Sequence, residues 1–178
     1  EIFSTFLVNS EIRKKIKKIK KKGKKINFNL QDALIRKLSF SLTKDQLNSI
    51  KQINKDLSTN TKMFRLLQGD VGSGKTIIAL LSAYNTINSG YQVAFMAPTE
   101  ILARQHYNLA KEIFPNNIKI ELISGKSDYK NKKIILEKLK NNKLDIIFGT
   151  HAIFQKKVSF KKLGLIIIDE QHKFGVNQ

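Results

Sequence analysis

From residue 40 onward the apolar positions follow two alternating rhythms. Leu47, Ile50 and Leu57 sit at helical spacing after an N-cap candidate at Thr43, and short, continuously apolar runs come after them. The pattern predicts a helix after Thr43, a strand over 63–68 (MFRLLQ), and an apolar helix over about 74–88 behind a glycine-rich turn. It then predicts strand 91–97 (YQVAFMA), a helix from Thr99 to about Phe114, strand 118–123 (IKIELI) and a lysine-rich helix ending near Lys140. Strand 145–149 (DIIFG), a short helical turn and strand 163–169 (LGLIIID) close the series. Strands that alternate with helices, several of them apolar throughout, imply an α/β fold: a mostly parallel sheet covered by helices on both faces. Pro98 and Pro115 stand where a strand and a helix should end.

The first 39 residues differ in character. Residues 13–25 (RKKIKKIKKKGKK) hold ten of the 33 basic residues and no acid, and Ile12, Ile16 and Ile19 recur at helical spacing. This predicts a basic amphipathic helix stopped near Gly23, ahead of a domain that begins at residue 40. Three uses suit such a helix: a solvated surface or frayed tail, a surface that tracks phosphates, or a membrane-surface helix.

Composition narrows the classes. With 178 residues, 41% of them hydrophobic, the chain has material for one packed domain plus an appendage, and global disorder is excluded. No apolar run approaches the roughly 18–20 residues a membrane helix needs, and no signal peptide is visible, although the chain opens on Glu1. Without Cys there is no disulfide, no thiolate-bound zinc and no thiol nucleophile. His106, His151 and His172 are too dispersed for a His-rich metal site. The net charge of +19 favours a polyanionic partner, nucleic acid before membrane. Lysine, isoleucine and asparagine are all abundant, however, as an AT-rich genome alone would produce, so the charge only supports the case.

Gly69-Asp70-Val71-Gly72-Ser73-Gly74-Lys75-Thr76 satisfies G-x-x-x-x-G-K-[ST], with an apolar run before it and an apolar helix after it. Phosphate binding needs this composition. Glycines let successive backbone N–H groups face the phosphate oxygens, and the helix start adds its positive dipole end. Lys75 is placed to reach the β- and γ-phosphates, and the Thr76 hydroxyl to complete a Mg²⁺ shell. A carboxylate must hold the metal from the other side. Asp169, after the apolar run 165–168, is placed for that, and Glu170 for orienting and polarising the attacking water.

These residues carry a family resemblance. Asp169-Glu170-Gln171-His172 with Lys173-Phe174-Gly175-Val176 resembles motif II of the superfamily 2 helicases in its RecG form. LLQGDVGSGKT (66–76), AFMAPTEILARQH (94–106) and IIFGTHAIFQ (146–155) resemble RecG motif I, motif Ia and the segment between motifs Ia and II. The transcription–repair coupling translocase is the nearest rival, but it usually carries DEEH, so Gln171 favours RecG. The resemblance covers residues 40–178 and implies a first RecA-like motor domain. Residues 1–39 resemble the end of the segment that joins the wedge domain to the motor.

The resemblance also implies roles residue by residue. Gln46 would read adenine, although Thr43-x-x-Gln46 also fits a capping box. His172 would couple the nucleotide site to the second motor domain. Thr99, Glu100, Thr150 and His151 would touch the DNA backbone, although Thr99 is equally an ordinary N-cap. The cofactors implied are ATP and Mg²⁺, and the partners are duplex or branched DNA together with the second motor and wedge domains. The location implied is the bacterial cytoplasm, at the nucleoid. Those two domains lie outside the 178 residues, so truncation at both ends is expected, as is little ATP hydrolysis by the segment alone. A non-catalytic module binding ATP and nucleic acid stays open. A metabolic P-loop kinase would not account for the motifs occurring together and in order.

Overall fold

The computed structural model of the chain describes residues 19–125, 129–155 and 158–169. Its elements are α1 (Phe28–Arg36), α2 (Lys44–Ser58), α3 (Lys75–Asn88), β1 (Gln92–Met96), α4 (Glu100–Ile113), β2 (Ile120–Ile123), α5 (Tyr129–Lys140), β3 (Ile146–Gly149), a 3₁₀ turn (His151–Phe154) and β4 (Leu163–Ile168). The strands form one sheet in the order β2-β3-β1-β4, and every pairing is parallel.

Alternation along β1 divides the interior into two cores. All five of its residues are buried: Val93 and Phe95 enter one core, Ala94 and Met96 the other. The first core takes Ile77, Leu80, Leu81 and Tyr84 from α3, Ile50 and Leu57 from α2, Leu34 from α1, and Phe148 from β3. The second packs Ile135 and Leu139 of α5 and Ile153 of the 3₁₀ turn against Ile123 and Ile147. Helices therefore cover both faces, as the apolar runs predicted. Buried Gln92 pins the start of β1: its amide donates to the Leu139 and Leu144 carbonyls (2.9 Å each) and accepts from the Lys162 amide (3.0 Å).

Two expectations need correction. Residues 63–68 form no strand, and no ladder partner pairs with them among the described residues. They are tied to α2 by side chains instead. Arg65 Nε donates to Asp56 (2.8 Å) and Nη1 to Gln52 (3.0 Å), while Met63 and Leu67 lean on the first core. Residues 19–25 are not helical either. Lys20 makes an antiparallel bridge to Thr61, and the Lys21 and Lys24 amides donate to Asn60 and Leu57 (2.7 and 3.0 Å). Lys21 Nζ also donates to the Leu57 carbonyl at 2.7 Å, so this stretch serves the carbonyl end of α2, where cations are stabilised, in place of its own helical bonds. The remainder of 13–25 lies outside the described residues.

Candidate nucleotide site

A short turn joins α3 to β1, so α3 runs antiparallel to the strands. Its N-terminus and the glycine loop before it thus lie at the carboxyl edge of the sheet. Gly72 and Gly74 have φ near +80°, a backbone conformation strained for any side chain. A Cβ on Gly69 would meet Ser73 Oγ at 2.7 Å, so the loop is closed tightly on itself. Gly74 occupies the N-cap position of α3 and offers no side-chain cap, which leaves the Lys75 and Thr76 N–H groups to whatever the loop encloses. Lys75 Nζ donates to the carbonyls of Gly69 (2.7 Å) and Asp70 (2.6 Å), at the mouth of the same loop. Val71 stands fully exposed at the tip.

Of the two roles weighed for Gln46, the structure shows the cap, and it adds a contact to the phosphate loop. The capping box forms: the Thr43 amide donates to Gln46 Oε1 (2.9 Å), and the Gln46 amide to Thr43 Oγ1 (3.2 Å). Its Nε2 meanwhile donates to the Ser73 carbonyl at 2.9 Å, which places Gln46 on the phosphate loop.

Asp169 follows β4 directly, and its amide donates to the Met96 carbonyl (2.9 Å), so it sits at the same carboxyl edge. Its Oδ2 accepts from His106 Nε2 at 2.7 Å. His106 closes the stretch that resembles motif Ia, where the sequence alone assigns it no role. A signal was present: Ala103, His106 and Ala110 form the buried stripe of α4, and a polar ring on such a stripe needs a partner. Glu170 and His172 lie outside the described residues.

The four residues assigned to DNA contact also collect at this edge. Thr99 caps α4 by accepting from the Leu102 amide (3.2 Å), and the Glu100 carboxylate accepts from the Gly125 amide. Thr150 and His151 begin the 3₁₀ turn after β3, where the Ala97 amide donates to the Gly149 carbonyl (3.0 Å). The structure thus gives Thr99 and Glu100 structural partners of their own. A separate cavity of about 480 Å³, bordered by Lys111, Lys119, Lys138 and Lys143, opens at the opposite edge, away from the loop.

The donor set fits a nucleotide with Mg²⁺. Thr76 and Asp169 offer hard oxygen donors, the kind that cation prefers. Among the described residues no three His, Cys, Asp or Glu gather around one point.

A phosphate loop at the head of a helix, on the same carboxyl edge of a parallel sheet as a strand-end aspartate, defines a P-loop nucleotide-binding domain. Residues 43–178 match the DEAD/DEAH box helicase family, and the chain belongs to it. Within that family it is similar to the RecG helicases. It is 51% identical to the ATP-dependent DNA helicase RecG of Borreliella burgdorferi over 87% of this chain and 23% of that protein. Against RecG of Thermotoga maritima the identity is 44% over 100% of this chain and 23% of the relative. RecG bound to a three-way DNA junction superposes with a TM-score of 0.87 at 44% identity, over 95% of this chain and 23% of that one. The UvsW helicase of bacteriophage T4 shares the fold, with a TM-score of 0.57 at 18% identity, over 85% of this chain and 53% of that one. The chain spans less than a quarter of the length of the RecG relatives it matches. No helix among the described residues is long and apolar enough to cross a membrane.

Proposed function

We propose that this chain is the ATP-binding first motor domain of a RecG-like DNA helicase, which uses ATP and Mg²⁺ to remodel branched DNA such as stalled forks and four-way junctions. The observation that carries this is the phosphate loop and Asp169 on one sheet edge, in a chain 44–51% identical to RecG helicases. In this reading residues 40–178 are the motor, and 1–39 end the segment leading from the wedge domain. The protein works in the bacterial cytoplasm, at the nucleoid. RecG relatives at this identity favour it over the transcription–repair coupling translocase.

Each residue has a task. The amides of the loop from Gly69 to Thr76, with Asp70, Val71 and Ser73 shaping its turn, wrap the phosphates. Lys75 exchanges the Gly69 and Asp70 carbonyls for phosphate oxygens, and Gln46 turns its amide to adenine. Thr76 and Asp169 would hold Mg²⁺, which when bound neutralises charge on the phosphates. Glu170 takes the proton of the attacking water, and His172 relays the state of the site to the second motor domain. Thr99, Glu100, Thr150 and His151 line the DNA track at the same edge, with Thr99 contributing the start of α4.

The test joins this segment to the remaining domains of a RecG helicase and measures ATP turnover with and without junction DNA. DNA-stimulated turnover is expected. Lys75→Ala should weaken nucleotide binding by roughly 10- to 150-fold, the equivalent of losing a charge-assisted hydrogen bond worth about 1.5–3 kcal/mol. Glu170→Gln should bind ATP normally and fail to turn it over. Unchanged binding in Lys75→Ala would remove the loop from the phosphate role. If the segment binds nucleotide but the joined protein shows no DNA-stimulated turnover, the non-catalytic module becomes the better reading.

A further inference from the structure

We propose that His106 is a positioning residue for Asp169, fixing from α4 the carboxylate that is to face the metal. This rests on the nucleotide-site reading above. The His106 ring is buried, 7% exposed, and lies against Phe95 with ring centroids 4.9 Å apart, so it has little freedom to swing. Its Nε2–H donates to Asp169 Oδ2 over 2.7 Å. Asp169 itself is the first residue after an edge strand of the described sheet, and Ile166 and Ile168 just before it are nearly half exposed. Packing on β4 therefore does little to orient that carboxylate. The hydrogen bond from a ring locked between α4 and β1 supplies what the strand does not. Partners that orient a metal-binding side chain in this way typically change metal affinity or activity 10- to 100-fold when removed.

His106 also belongs to the helix whose first turn begins after Thr99, one of the proposed DNA contacts. The same rigid element therefore carries the start of the DNA track and the group that holds the metal carboxylate. That is a division of labour no motif spacing displays.

The experiment measures binding of a fluorescent ATP analogue by the chain as Mg²⁺ is titrated, for the unsubstituted protein, His106→Leu and His106→Gln, with a thermal melt of each. Gln places an amide donor close to where Nε2 stands, and Leu fills the space without one. In His106→Leu the Mg²⁺ concentration at half-effect should rise about 10- to 100-fold while metal-free nucleotide affinity stays within about twofold. His106→Gln should recover most of the shift. A Leu variant that melts like the parent and keeps its Mg²⁺ dependence overturns the proposal, and so does a folded Gln variant shifted as far as Leu. Should Leu not fold, the Gln variant decides: near-parental Mg²⁺ dependence supports the donor role, and a full shift refutes it. Absence of nucleotide binding by the unsubstituted chain would instead strike the site reading itself, a result separable from a normal parent with an indifferent His106.

Discussion

Gln46 closes the capping box of α2 through its Oε1, 2.9 Å from the Thr43 amide, and holds the phosphate loop through its Nε2, 2.9 Å from the Ser73 carbonyl. One side chain thus ties the start of a helix to the loop 27 residues later. An adenine contact would use the same amide group, so nucleotide recognition would compete with these two bonds.

The two functions of Gln46 separate by mutation. Thr43→Ala removes only the Oγ1 half of the cap and should cost about 1 kcal/mol in urea denaturation. Gln46→Ala removes half the cap and the Ser73 bond together, and should cost roughly 0.5–1.5 kcal/mol more. It should also erase any preference for ATP over GTP. Equal stabilities for the two variants would mean that the Ser73 contact contributes nothing.

Gly72 and Gly74 share a positive φ but not their surroundings. Nothing lies within 4 Å of a Cβ built on Gly72, whereas one on Gly74 would collide with the Gln46 amide. Gly72→Ala should therefore cost only backbone strain, roughly 1–2 kcal/mol. Gly74→Ala should cost that and displace Gln46 as well. Denaturation midpoints in a Gln46→Ala background provide the check, because there the difference between the two glycine variants should vanish.

Gln31 of α1, Asn54 of α2 and Asn85 of α3 form a buried amide cluster. Asn85 Nδ2 donates to Gln31 (2.6 Å) and to Asn54 (2.8 Å), and Asn54 Nδ2 donates to Gln31 (2.6 Å). Asn85→Ala strands the Asn54 carbonyl oxygen in the core and opens a small void. The expected loss is roughly 2–4 kcal/mol. A loss below about 0.5 kcal/mol would show that water replaces the missing amide without penalty.

Lys24 is buried, with its Nζ 5.1 Å from the Tyr91 ring centre. Burial first, and the neighbouring Lys21 second, push its pKa down from 10.5 to about 8. Between those two values the unfolded chain binds the proton that the folded chain has released. Stability should therefore rise with pH over that window, and the cost of burying the cation is fully present below about pH 8. Lys24→Met should be more stable than the parent at neutral pH and should lose most of the rise. Denaturation midpoints at pH 7.5 and 9.5 test both points, and an unchanged rise would assign it to another group.

What the residues declared for themselves was local. Apolar runs at 93–96, 146–148 and 165–168, alternating with helices, point to the strands of a parallel sheet, and two of the helices carry their own caps at Thr43 and Thr99. The phosphate loop was equally legible, because its glycines, lysine and threonine are adjacent in the chain and the backbone needs them there. Tertiary structure decided whatever depends on a distant partner. MFRLLQ has a strand's composition, yet Arg65 is captured by Asp56 and Gln52, and strand formation requires a neighbour that composition cannot name. The basic run has isoleucines at helical spacing, but at residues 21 and 24 the carbonyl end of α2 and the residues after it take the backbone amides instead. His106 and Asp169 stand 63 residues apart in sequence and 2.7 Å apart in space. Only the crossover that lays α4 against β2 and β3, with His106 reaching Phe95 of β1 and β4 alongside, brings that ring to that carboxylate.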